Sequence, residues 1–154
     1  MIEIFVHLTL EKAWSQAEVD FQTFVALGGE DRRLESLENA RELDPELLES
    51  EWSLRIGEIV SRLVNVKEAS YDSDTFRARI ELPESAPEGI GSLVNALVRA
   101  YVVKCLLGAW NDLRHVGLPY DWRSDAARVL ESLTEILGSV SRGRAAGRRV
   151  IPFP

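Results

Sequence analysis

The residues of this chain with chemical potential are few and scattered, and their spacing limits what each can do. His7 and His115 are its two histidines. Neither has a second imidazole or a cysteine pair nearby in sequence to complete a tetrahedral metal site. His7 falls in an alternating run, and His115 falls at the end of a helical one, where a cation suits the dipole. Asp72 and Asp74 have the spacing that opens a calcium loop, but the glycine and distal glutamate of such a loop do not follow, so a turn is expected. Glu35, Glu38, Glu42 and Glu46 would suit a magnesium ion or a general acid and base. No histidine, lysine or glycine-rich loop completes either chemistry there, and a solvated acidic face is expected. Gly89-Ile90-Gly91 precedes a helical stretch as a phosphate loop would, without a third glycine or a following Gly-Lys-Ser/Thr. No serine stands in a Gly-x-Ser-x-Gly context. Cys105, the single cysteine, lies in an apolar helical run and reads as a buried thiol. No catalytic residue, cofactor or metal is therefore assigned, and the expectation is a protein that is not an enzyme.

The charge distribution is more telling. Arg142, Arg144, Arg148 and Arg149 sit among Gly and Ala in residues 141–154 with no acid, giving +4, while residues 1–140 carry −11 of the total −7. Opposite patches of this kind steer association with a partner. Four cations without interleaved aromatics would hold phosphates weakly and reversibly with salt, so a protein partner is favoured over nucleic acid. Val150-Ile151-Pro152-Phe153-Pro154 adds an extended apolar end of the sort that docks into grooves or sheet edges. Arg142, Arg144, Arg148, Arg149, Ile151 and Phe153 are thus the expected partner-binding residues, engaging a neighbour over the acidic stretch from Glu30 to Glu51.

These residues must be positioned by a domain of modest size. A chain of 154 residues suffices for one core without disulfide staples, and the division expected is a single globular domain over 1–140 followed by a basic extended tail over 141–154. Ile2, Ile4, Val6 and Leu8 alternate with Glu3, Phe5, His7 and Thr9, which predicts a half-buried strand. A helix follows from Thr9 or Ser15, with Trp14, Ala17, Phe21, Phe24 and Val25 at helical spacing, stopped by Gly28-Gly29. Asp44-Pro45 provides a cap and a first-turn proline for a second helix, whose stripe runs Leu48, Trp52, Ile56, Ile59, Leu63, Val66. After a turn-rich Ser70 to Asp74, a second strand covers Thr75 to Leu82 with Phe76, Ala78, Ile80 and Leu82 inward. A third helix from about Gly89 to Arg114 is apolar nearly all round in its second half and must be covered by the fold or by a second subunit. Asn95, Arg99, Lys104, Asn111 and Asp112 interrupt it too often for a lipid-spanning segment. The last helix, from Asp121 or Ser124 to Val140, has the stripe Trp122, Ala126, Val129, Leu133, Ile136, Val140. The class expected is α+β, mainly α, with about four helices and two short strands. Two strands are marginal alone, so an edge is left that could accept a strand from another chain.

Met1 to Leu10 lacks the basic flank and cleavage site of a signal peptide, which predicts a cytoplasmic location without membrane attachment. Ile2-Glu3-Ile4, Phe76-Arg77-Ala78-Arg79-Ile80-Glu81-Leu82-Pro83, Tyr101-Val102-Val103, Gly108-Ala109-Trp110, Ala126-Ala127-Arg128-Val129-Leu130-Glu131 and the basic, proline-ending tail together resemble small prophage proteins of Bacteroidetes from the head-tail structural gene region. That resemblance implies a non-enzymatic phage structural or assembly protein, adaptor-like, whose partners are copies of itself or other phage structural proteins, in the cytoplasm of the bacterial host, either as a component of the virion or as a helper that leaves after assembly. The competing expectation is a small cytoplasmic regulatory or nucleic-acid-associated module that uses the arginine-rich tail.

Overall fold

The computed structural model describes residues 1–28, 45–114 and 120–142. Its elements are β1 (Ile2–Thr9), α1 (Leu10–Gly28), α2 (Pro45–Arg62), β2 (Val66–Tyr71), β3 (Thr75–Leu82), α3 (Ile90–Arg114) and α4 (Trp122–Ser141). They form one α+β domain, mainly α, as the sequence leads one to expect.

The sheet has three strands rather than two, in the order β1-β3-β2. β1 and β3 pair antiparallel in uninterrupted register from Ile2 opposite Leu82 to Thr9 opposite Thr75. The matched alternation puts Ile4, Val6, Leu8, Phe76, Ala78, Ile80 and Leu82 all into the core. β2 pairs antiparallel with β3, with an irregularity between Val66 and Glu68. Lys67 is the extra residue of this bulge.

The additional strand corrects two sequence expectations. Val66, the last position of the α2 stripe, belongs to β2, because the chain turns at Asn65, whose φ of 54° is left-handed. Asn tolerates that conformation, and no helix can continue through it. The turn expected over Ser70 to Asp74 shrinks to Asp72–Asp74. The Asp72 carboxylate accepts the backbone N–H groups of Asp74 and Thr75 at 3.0 and 2.9 Å, fixing the β2–β3 hairpin. Those donors hold the Asp72 carboxyl below its ordinary pKa.

The helices lie against the inner face. α1 starts where Thr9 Oγ1 accepts the Lys12 N–H at 3.2 Å, so Thr9 and not Ser15 opens it. α2 begins at Pro45, and its stripe buries Leu48, Trp52, Ile56 and Ile59. The Trp52 indole donates to the Asp72 carbonyl at 2.8 Å, tying α2 to the hairpin. α3 is packed by α1, α2, α4 and β1. Among the described residues it is long and apolar enough to cross a membrane by composition, over Ile90–Asp112. Here it is the central core helix, burying Val94, Val98, Val102, Leu106 and Trp110 among others. Trp110 meets Phe21 of α1 edge-on, ring centroids 5.0 Å apart. Its covering therefore comes from its own fold. α4 is capped by Asp121, whose carboxylate accepts the Ser124 N–H at 3.1 Å. It turns Leu130 and Leu137 inward, leaving Val129 and Ile136 half-buried, a small rotation of the expected stripe.

Candidate interaction surface

Among the described residues, no helix packs on the sheet's other face. Glu3, Phe5 and His7 of β1 stand opposite Glu81, Arg79 and Arg77 of β3, and β2 sets Glu68 opposite Arg79 and Ser70 opposite Arg77. Arg79 lies at the centre of this face, bonded to the Glu3 carboxylate on one side and to Glu68 at 3.1 Å on the other. The hydrogen bonds it donates to Glu3 and then to Glu68 raise its pKa further. Lys67 faces Glu81 at 3.5 Å. The face is thus nearly balanced in charge, and Phe5, 65% exposed, is its large apolar side chain.

The two edges of the sheet are treated differently. On β1, the Asn95 side chain from α3 donates to the Phe5 carbonyl at 2.9 Å and accepts the His7 N–H at 3.0 Å. One amide takes the place of a neighbouring strand and seals the middle of that edge. It also fixes which way every backbone group of the sheet points. Odd residues of β1 face outward, so even residues of β3 face β1 and its odd residues face β2. The bonds Asp72 N–H to Thr75 O, 3.0 Å, and Glu81 N–H to Asn65 O, 3.1 Å, agree. Ser70, opposite Arg77, therefore turns to β3, and Ala69 and Tyr71 present their N–H and C=O groups to the open edge of β2.

Nothing described covers that edge. β2 is exposed from Lys67 through Tyr71. Tyr71 remains 47% exposed although its hydroxyl reaches α2, lying 3.5 Å from where a Cβ on Gly57 would stand. Leu54, one turn earlier on the same side of α2, is 57% exposed. Among the described residues this strand edge beside Tyr71 and Leu54 is unpaired, an arrangement to which an extended chain can add.

A second polar site lies where α2, α3 and α4 meet. A cleft of about 240 Å³ is lined by Arg55, Glu58, Tyr101, Cys105 and Arg123, with apolar walls from α4. Arg55 bonds Glu51 at 3.0 Å as well as Glu58, Tyr101 donates to Glu58 at 3.1 Å, and Arg123 bonds Asp112 at 2.8 Å and approaches Glu51 at 3.8 Å. Burial works against the Arg55 charge, but Glu51 and Glu58 outweigh it and raise its pKa. Burial pushes the Cys105 thiol up to about 11 and raises the Tyr101 phenol as well. Both stay protonated at neutral pH, and the charged groups are spent on one another, so the cluster fastens three helices together.

Of the expected partner-binding residues, the structure describes Arg142, which ends α4 with its N–H on the Gly138 carbonyl at 3.3 Å. Arg144, Arg148, Arg149, Ile151 and Phe153 lie outside the described residues, as do His115, Glu35, Glu38, Glu42 and most of the stretch from Glu30 to Glu51. Glu46 is exposed in the first turn of α2, and His7 is exposed on β1. Gly89, at φ 83°, enters α3 in a left-handed turn. Asn95, Tyr71 and Leu54 were not singled out for the surface by sequence. Asn95 carried the one available signal, a polar group on an otherwise apolar helical stretch. No protein-family model matches the chain, and no curated protein or solved structure matches it either.

Proposed function

We propose that this chain is a non-enzymatic structural or assembly protein that works by gripping other protein chains. The setting is that implied by its resemblance to head-tail region prophage proteins: an adaptor in the cytoplasm of a bacterial host, either a virion component or an assembly helper. The observation that supports this reading is the open β2 edge, flanked by exposed Tyr71 and Leu54, on a sheet whose opposite edge is sealed by Asn95. β2 is blunted at its start by the bulge at Lys67, and beyond it Ala69 and Tyr71 present unpaired N–H and C=O groups that can template an added strand. The charge split adds long-range attraction between the acidic body and the arginines of residues 141–154. The open sheet face is a poorer match to nucleic acid, because Arg79 and Lys67 are already paired with carboxylates.

The test is the mass in solution by size exclusion with light scattering, at low and high salt, for the intact chain and for one ending at Ser141. The expected result is an oligomer that dissociates with salt and on truncation. An intact chain that stays monomeric under every condition overturns self-assembly, and tight salt-sensitive binding of nonspecific DNA by the same monomer would replace it with the nucleic-acid reading.

A further inference from the structure

We infer that the open β2 edge is the receptor for the C-terminal segment of a neighbouring copy, with residues 148–151 adding to the sheet as a fourth strand. This rests on the assembly reading above and gives it a mechanism.

The match comes from period-two geometry on both sides. Ala69 and Tyr71 are the β2 residues whose N–H and C=O groups face the open edge, as the ladder bonds of β3 require. In an extended C-terminal segment, Arg149, Ile151 and Phe153 share one set of backbone and side-chain directions, and Arg148, Val150 and Pro152 share the other. Pro152 has no N–H and must face away from any strand it lies beside. That fixes Arg149 and Ile151 as the residues that bond Ala69 and Tyr71. Pro152 then falls on the new outer edge, where it stops a further strand from joining.

The side chains agree with this placement. Ala69 and Tyr71 stand on the helix-facing side of the sheet, opposite Ala78 and Phe76. Tyr71 leans on α2 at Gly57, and Leu54 is exposed one turn away. Ile151 and Phe153 have there an apolar surface whose area is otherwise left in water. On the opposite side, Glu68 is 75% exposed at its side chain, a carboxylate in reach of Arg148. The five residues between Arg142 and Arg148 let the segment reach up to about 20 Å from the end of α4. A donor segment and a different acceptor surface on each copy make a head-to-tail contact, which closes into a ring or propagates as a filament.

The experiment uses full-length chains carrying one lesion each. Ala69→Pro deletes the outward N–H of the receptor edge and no ladder bond to β3; Ile151→Pro deletes the donor N–H. Each variant alone is expected to be monomeric by light scattering, with its dissociation constant for self-association raised at least about tenfold for the lost main-chain bonds. Mixed one to one, they are expected to form a two-chain complex, because one still has a receptor and the other a donor. Leu54→Asp, an exposed substitution, replaces Ala69→Pro as the receptor-deficient partner if the latter shows an altered circular dichroism spectrum. A mixture that stays monomeric overturns the inference, and so does an Ile151→Pro chain that still associates, which would assign the edge to β2–β2 pairing between copies. Wild-type chains that never associate overturn the assembly reading itself, so the two failures are distinct.

Discussion

The side-chain amide of Asn95 shows how one residue sets the behaviour of a sheet. It satisfies Phe5, His7 and also the Gly91 carbonyl at 2.9 Å. Asn95→Ala is expected to lower stability by about 1–2 kcal/mol, the net worth of its exchanged bonds. Urea unfolding should show an earlier midpoint with an unchanged slope. Cys105 gives a second residue-scale expectation. Its thiol ionises at about 11 in the folded chain against an ordinary 9.0. Between those values the unfolded chain releases this proton and the folded chain keeps it, so stability is full below pH 9 and declines as pH rises toward 11. The measurement is the alkaline loss of stability relative to Cys105→Ala, which lacks this component. A thiol reagent at pH 8 should likewise react slowly until denaturant is added.

At the scale of elements, the joint between α2 and the β2–β3 hairpin depends on Trp52, fully buried and donating to Asp72. Trp52→Phe keeps most of the volume and loses that bond, for an expected cost of about 1 kcal/mol; Trp52→Ala adds a cavity and should cost about 3–5 kcal/mol. Thermal melts of the two variants separate bond from packing. Elements with one buried face were legible in the sequence. β1 and β3 alternate because one side meets helices, and α2 and α4 carry stripes because one side meets the core. β2 was not legible, since a strand exposed on both sides has no apolar period to read, and the apparent helical register of Val66 masked its start. α3 was legible as a buried helix but not in its orientation, because an all-round apolar surface names no preferred face. For the proposed interaction surface, the sequence offered Arg142 to Phe153 as partner-binding residues and an unpaired strand edge in general. It could not identify Tyr71 and Leu54, whose exposure arises only when β2 is brought beside α2.

At the scale of the whole molecule, an acidic body of −11 and a basic segment of +4 are expected to make the proposed association depend on ionic strength. Raising salt from about 0.1 M to about 1 M shortens the Debye length from about 10 to about 3 Å. The average mass by light scattering is expected to fall across that range, with the association rate falling more than the dissociation rate rises. The asymmetry between the two sheet edges has a further result. Cross-β growth needs a strand that can be templated on both sides, so that each added chain exposes a fresh site identical to the last. A sheet whose β1 edge is occupied at its middle by an amide from its own helix is more open to extension at β2 than at β1. By occupying Phe5 and His7, the Asn95 amide works against two-sided templating of this sheet, whatever adds at β2.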